Sequence, residues 1–153
     1  MRPVGTQAVL PLKGTRVVDI TRLLPGGFCS HLLSEYGAEV IKVEEPGLGD
    51  YIRNVPPRVD GVSLVHTMIN RGKLSVGIDL KKTAGKEVLR RLIRASDVFL
   101  EGFRPGVADR LGFSYESVKA LNRRIVYCSI SSFGRLSRLS SMPAHDLNLE
   151  AMS

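Results

Sequence analysis

The chain has 153 residues, 43% of them hydrophobic and 24% charged, which suits one soluble domain with a real core. Lys and Arg outnumber Asp and Glu by 22 to 15, a net charge of +7 that seeks anions: nucleic acid, acidic lipid or phosphorylated small molecules. No apolar run approaches the roughly 18 residues of a membrane span, and zinc-finger spacing and RRM-like aromatic runs are missing, with aromatics at only 6%, so neither a membrane span nor a nucleic-acid partner is expected.

Residues 1–14 read as an amino-terminal arm punctuated by Pro3, Gly5, Pro11 and Gly14. No apolar stretch follows Arg2, so this start does not read as a secretory signal. A single domain is expected over 15–153. Residues 15–20 are rich in β-branched side chains and predict a strand. Residues 23–27, Leu-Leu-Pro-Gly-Gly, read as a turn, followed by a helix carrying Phe28, Leu32, Leu33 and Tyr36 and closed by Gly37. Residues 39–44 form a second strand, stopped by Pro46 and Gly47.

Residues 46–72 have no clean period and read as a long excursion, with a short helix near 64–69. Alternation then resumes. Strands are predicted at 74–80, 97–101 and 124–130. Between them come a helix over 84–95 with Val88, Leu89, Leu92 and Ile93 on one face, a short helix over 106–111, and a helix capped by Ser114 that carries Val118 and Leu121. A polar loop over 131–143 precedes a helix starting at 144. Strands alternating with helices imply an α/β fold, a Rossmann-like open and mostly parallel sheet with helices on both faces. Such sheets bind ligands outside the carboxyl ends of their strands.

The motifs of common nucleotide and hydrolase chemistry are missing: no G-x-G-x-x-G after the first strand, no G-x-x-x-x-G-K-[ST], no G-x-S-x-G. Cys29 and Cys128 stand far apart and form no C-x-x-C pair, so no metal is expected. A reducing compartment is expected instead, the cytoplasm, or the mitochondrion or peroxisome in a eukaryote. Three basic clusters lie near strand ends: residues 70–73, 79–82 and 102–106. Arginine forks and lysine charges there match phosphate oxygens, and Phe103 beside Arg104 offers a flat surface for an adenine ring. His145 with Asp146 is the candidate for proton exchange near neutral pH, ahead of His31 and His66.

In order along the chain come Leu12-x-Gly14-x-Arg16-Val-Val-Asp19, Gly37-Ala-Glu-Val-Ile-Lys42-Val-Glu44, Asn70-Arg-Gly-Lys73, Asp79-Leu-Lys81, Glu101-Gly-Phe-Arg-Pro-Gly106, Leu111-Gly112, Ile125-Val-Tyr-Cys-Ser129 and His145-Asp-Leu-Asn148. This set resembles the start of the class III CoA-transferases and 2-methylacyl-CoA racemases. The resemblance implies a Rossmann-like domain that binds coenzyme A as an acyl-CoA substrate. It implies that Ile78, Asp79, Leu80, Lys81, Gly102, Phe103, Arg104 and Arg110 contact the ADP portion, with Lys81, Arg104 and Arg110 holding phosphates. It implies that Ala144, Leu147, Asn148 and Leu149 lie near the thioester and the pantetheine arm. In racemases of this kind the histidine matching His145 exchanges the proton α to the thioester, and the carboxylate matching Asp146 positions it.

Most transferases of the family lack a histidine at this place. His145 therefore favours racemase-type exchange on a 2-methylacyl-CoA. The alternatives are acyl-CoA:carboxylate CoA transfer, or a non-catalytic CoA-binding or partner subunit. Some sequence features differ from the family pattern. Glu45 stands where some racemases place a basic residue for the CoA phosphate, Ala144 stands for glycine, and Leu149 stands for tyrosine. The resemblance also places a second catalytic carboxylate and a smaller domain beyond residue 153. It implies an interlocked homodimer or a complementary chain of the same family as partner.

Overall fold

The computed structural model describes residues 10–152. Of the arm read over 1–14, residues 1–9 lie outside the described residues. Five strands form one parallel sheet: β1 (Arg16–Asp19), β2 (Glu39–Glu44), β5 (Leu74–Gly77), β6 (Val98–Glu101) and β7 (Val126–Ser129). Their order is β5-β2-β1-β6-β7. The short strands β3 (Arg58–Val59) and β4 (Val62–Ser63) pair antiparallel as a separate hairpin. Among the described residues no helix is long and apolar enough to cross a membrane.

The sheet is covered on both faces, and successive apolar residues of its central strands, such as Val17 and Val18, point to opposite faces. On one face Val17, Val40 and Leu100 meet Cys29 and Leu33 of α1 (Leu23–Glu35). On the other, Val18, Ile20, Val43 and Phe99 pack against Leu89 and Ile93 of α3 (Thr83–Arg94) and Val118 of α5 (Tyr115–Leu121). Leu89 and Ile93 are fully buried as the spacing of α3 predicts, but Val88 is not: it is 45% exposed. Ser114 caps α5, accepting a hydrogen bond from the backbone N–H of Ser117 at 3.2 Å.

Two segments differ from the sequence expectation. Residues 23–27 are the first turns of α1 rather than a turn before it. Pro25 is tolerated there because the first N–H groups of a helix have no partner to lose. The glycines serve close packing: a Cβ at Gly26 would collide with the Thr21 side chain, and one at Gly27 would come within 2.7 Å of Ile69 Cδ1. The excursion over 46–72 is ordered, with a 3-10 turn at Tyr51–Asn54, the β3–β4 hairpin and α2 (Leu64–Ile69). Each piece is too short to leave a period in the sequence.

Sheet order builds the crevice. The chain leaves β1 towards β2 and β5, then crosses back over β1 to reach β6 and β7. The loops after β1 and β6 therefore run in opposite directions, and a gap opens between them at the carboxyl edge.

Candidate functional site

A cavity of about 210 Å³ occupies that gap. Ile20, Thr21 and Arg22 enter it from the end of β1, and Val43, Glu44 and Glu45 from the end of β2. Ile78, Asp79, Leu80 and Lys81 follow β5, Phe103 follows β6, and Val107 and Leu111 come from α4 (Val107–Leu111). Gly49 and Asp50 of the excursion complete the wall. The inner surface is apolar and the rim is charged, a combination suited to an aromatic base carrying ionised groups.

Local hydrogen bonds set the two loops of the site. Asp79 Oδ1 accepts from the Lys81 N–H at 2.9 Å, which turns the chain after β5. Ile78 is held by its N–H donating to the Glu44 carbonyl at 2.9 Å. On the other side, buried Glu101 accepts from the Phe103 N–H at 2.9 Å and fixes the Gly102–Phe103 bend. Glu45 lies between two cations at the rim: Oε1 is 3.0 Å from Lys81 Nζ and Oε2 is 3.4 Å from Arg22 Nη2. The Glu45 hydrogen bond and charge hold the Lys81 ammonium above its ordinary pKa.

The structure thus brings Ile78, Asp79, Leu80, Lys81 and Phe103 together, with Gly102 at the base of the Phe103 bend. Arg104 and Arg110 are exposed beside them, and their guanidinium groups form no hydrogen bond or ion pair among the described residues. The cluster at 70–73 has another role. Arg71 pairs with Glu35 at 2.8 Å. Lys73 points inward, donating to the Gly27 carbonyl and Ser30 Oγ at 2.8 Å and to Asn70 Oδ1 at 3.0 Å. Burial pushes its pKa down to about 8, with the Asp19 charge acting in the opposite direction.

Residues 144–149 stand outside the cavity lining. His145 precedes α6 (Asp146–Glu150), its N–H donating to Asn148 Oδ1 at 3.0 Å and its carbonyl accepting from the Asn148 N–H at 2.9 Å. His145, Asp146, Leu147 and Asn148 are exposed, Leu147 to 80%, while Ala144 and Leu149 are half-buried.

A buried charged network under the cavity escaped the sequence reading. Asp19, Lys42 and Asp50 are all within 3% of full burial. Lys42 Nζ lies 3.5 Å from Asp19 Oδ2 and 3.3 Å from Asp50 Oδ2, and donates to the Thr21 carbonyl at 2.6 Å. Asp19 also accepts from Thr21 and Ser30, both at 2.5 Å. Asp50 accepts from the Leu23 N–H at 3.0 Å, tying the excursion to the start of α1. Next to it Glu44 accepts from Arg53 Nε and Nη2, both at 2.6 Å, and from the Asp50 N–H and Ser75 Oγ at 2.8 Å. The Arg53 hydrogen bonds hold the Glu44 carboxyl down at about 2 against the cost of burial. The available signal was a pair of opposite charges, Asp19 and Lys42, each flanked by apolar residues.

Comparison with known proteins gives a consistent picture. A sequence model of CoA-transferase family III matches residues 12–153. The acetyl-CoA:oxalate CoA-transferase of Acetobacter aceti is 42% identical over 143 residues, covering 94% of this chain and 37% of that protein. The formyl-CoA:oxalate CoA-transferase of Rhodopseudomonas palustris (strain TIE-1) is 48% identical over 126 residues, covering 80% of this chain and 29% of that protein. The chain therefore spans 29 to 37% of the length of these relatives. Among solved structures, a CAIB/BAIF family protein from Brucella suis superposes with a TM-score of 0.87 at 37% identity, covering 93% of this chain and 39% of that one.

Proposed function

Since the chain belongs to CoA-transferase family III, we propose that it forms the CoA-binding part of an acyl-CoA:carboxylate CoA-transferase. The observation that carries this reading is that relatives 42 to 48% identical are named for CoA transfer to oxalate. These names favour the transferase alternative over racemase-type exchange. The reaction takes an acyl-CoA and a free carboxylate and returns the first acid with the second as its thioester. One thioester bond breaks, one forms, and neither electrons nor protons are left over.

In this reading the apolar cavity takes the adenosine end of CoA. Phe103 supplies a face for the ring, and Lys81, Arg104 and Arg110 supply cations for the phosphates. Ala144, Leu147, Asn148 and Leu149 guide the pantetheine arm. The carboxylate that carries the acyl group is expected outside residues 1–153, in a remaining part of the protein or a complementary chain. Self-association fits the exposed face of α1 and its capping residue, where Leu24, Phe28, Leu32 and Tyr36 recur every four residues at 44 to 56% exposure. Racemase-type exchange on a 2-methylacyl-CoA, with His145 as base and Asp146 as its helper, ranks second because it rests on His145 alone.

The test is to supply the complete enzyme with acetyl-CoA or formyl-CoA and oxalate, and to follow oxalyl-CoA by mass spectrometry. Oxalyl-CoA formed in step with loss of the donor thioester supports the proposal. Deuterium exchange at the α-carbon of a 2-methylacyl-CoA, without any transfer to a carboxylate, would establish the second reading instead.

A further inference from the structure

We propose that Glu45 is a built-in competitor for the ligand's phosphates: its carboxylate occupies an anion site made by Arg22 and Lys81, and a phosphate enters by displacing it. This rests on the CoA reading above and adds Arg22 and Glu45 to the residues that set affinity.

The other acids of the cavity are committed to partners other than the two rim cations' side chains. Glu44 is held by Arg53, Ser75 and the Asp50 N–H. Asp50 is held by Lys42 and by the N–H groups of Leu23 and Ile52. Asp79 turns its own loop and pairs with Lys82 at 3.8 Å. Glu45 differs, because its side-chain partners are the two rim cations. One oxygen goes to Lys81 and the other to Arg22, cations delivered by separate strand ends.

Two cations converging on one anion at a cavity mouth define a position for negative charge. A phosphate brings more charge and more acceptor oxygens than a carboxylate, so it is the stronger occupant. Arg22 is also steadied from behind: its guanidinium lies 5.5 Å from the Tyr51 ring centroid, and Nη1 reaches the Tyr51 hydroxyl at 3.4 Å. The fork therefore stays aimed when Glu45 swings away. The Glu45 side chain is 29% exposed and can move into solvent without unpacking the core. All three groups are partly solvated, so Glu45 tunes affinity and release rather than deciding whether binding occurs.

Calorimetric titration of the protein and its Glu45→Gln variant with CoA, dephospho-CoA and pantetheine tests this. The substitution keeps size and removes charge, so folding is preserved. CoA is expected to bind the variant about threefold or more tightly, with pantetheine affinity unchanged. Lys81→Gln should erase most of the gain when combined with Glu45→Gln. A gain shared by dephospho-CoA assigns the slot to the pyrophosphate, and a gain confined to CoA assigns it to the 3′-phosphate; both support the proposal. If CoA binds the protein but binds Glu45→Gln equally or more weakly, or if pantetheine gains as much as CoA, the competitor role is overturned while the CoA reading stands. Failure of both proteins to bind CoA overturns the CoA reading and this role with it.

Discussion

Asp19 and Lys42 are register partners on adjacent strands β1 and β2, and their side chains meet 3.5 Å apart with almost no exposure to solvent. Three residues earlier on β1, Arg16 and Glu39 are partners in the same ladder and meet at 2.9 Å, but with 41 and 46% of their side chains exposed. The same two strands thus hold one ion pair in water and one beneath the cavity floor. Their energetic weights differ accordingly. Lys42→Met should lower stability by about 3–5 kcal/mol, because it leaves the buried Asp50 without its ion-pair partner and Asp19 with only Lys73, 3.9 Å away. Urea unfolding followed by circular dichroism measures this. Arg16→Met serves as the comparison and should shift the midpoint far less; equal shifts would show that burial does not set the weight of these pairs.

Glu44 ties the end of β2 to the excursion through an acid-sensitive contact with Arg53 and the Asp50 N–H. Its carboxyl titrates at about 2 in the folded chain against an ordinary 4.5, chiefly through the Arg53 hydrogen bonds. Because the folded value is the lower one, the stabilisation is fully present above pH 4.5 and is lost as pH falls towards 2. The size is up to about 3 kcal/mol. Unfolding midpoints recorded from pH 6 down to pH 2 should fall steeply for the unaltered chain and more gently for Glu44→Gln. Parallel curves would remove Glu44 from the account of acid sensitivity.

Much of the fold was legible because strand and helix periods are local properties. The strands of the five-stranded sheet and the helices α3 and α4 were expected close to their observed bounds, except that the strand starting at Leu74 ends at Gly77 and leaves 78–80 to the site loop. Residues 23–27 misled because Pro25, Gly26 and Gly27 are turn formers locally, while close packing against Thr21 and against Ile69, far along the chain, demands small residues in a helix. The site was legible in part. Ile78 to Lys81 and Phe103 carried a motif, and sheet order gathers them around one cavity. The Asp19–Lys42–Asp50 network was hidden because a charged residue type in a strand gives no sign of which buried partner will meet it. Lys73 looked like a phosphate ligand for the same reason, though its ammonium is used up by Gly27, Ser30 and Asn70.

His145 separates the two chemistries. In a transferase that uses a carboxylate from outside this segment, His145→Ala should leave CoA transfer within a few-fold of the unaltered enzyme. In a racemase the same change should cost about 10²–10⁴ in α-proton exchange. Turnover of both substrate types by the complete enzyme and its His145→Ala variant is the comparison to make. A loss of that larger size in CoA transfer would mean that His145 touches the reacting atoms of the transferase as well.

The exposed row on α1 predicts association through that helix. Leu24, Phe28, Leu32 and Tyr36 lie on one stripe of the helix surface. Sedimentation velocity should detect dimers or larger species. Replacing Phe28 and Leu32 together by Lys should return the chain to monomer without changing its circular dichroism spectrum. Persistence of the dimer after that double substitution would move the interface elsewhere.

The most direct test of the central claim, that the crevice between the ends of β1, β5 and β6 receives coenzyme A, is a crystal structure grown with CoA. The adenosine diphosphate portion should lie against residues 78–81 and Phe103, with a phosphate within hydrogen-bonding distance of Lys81. A well-ordered CoA bound elsewhere, with this crevice empty, would contradict it.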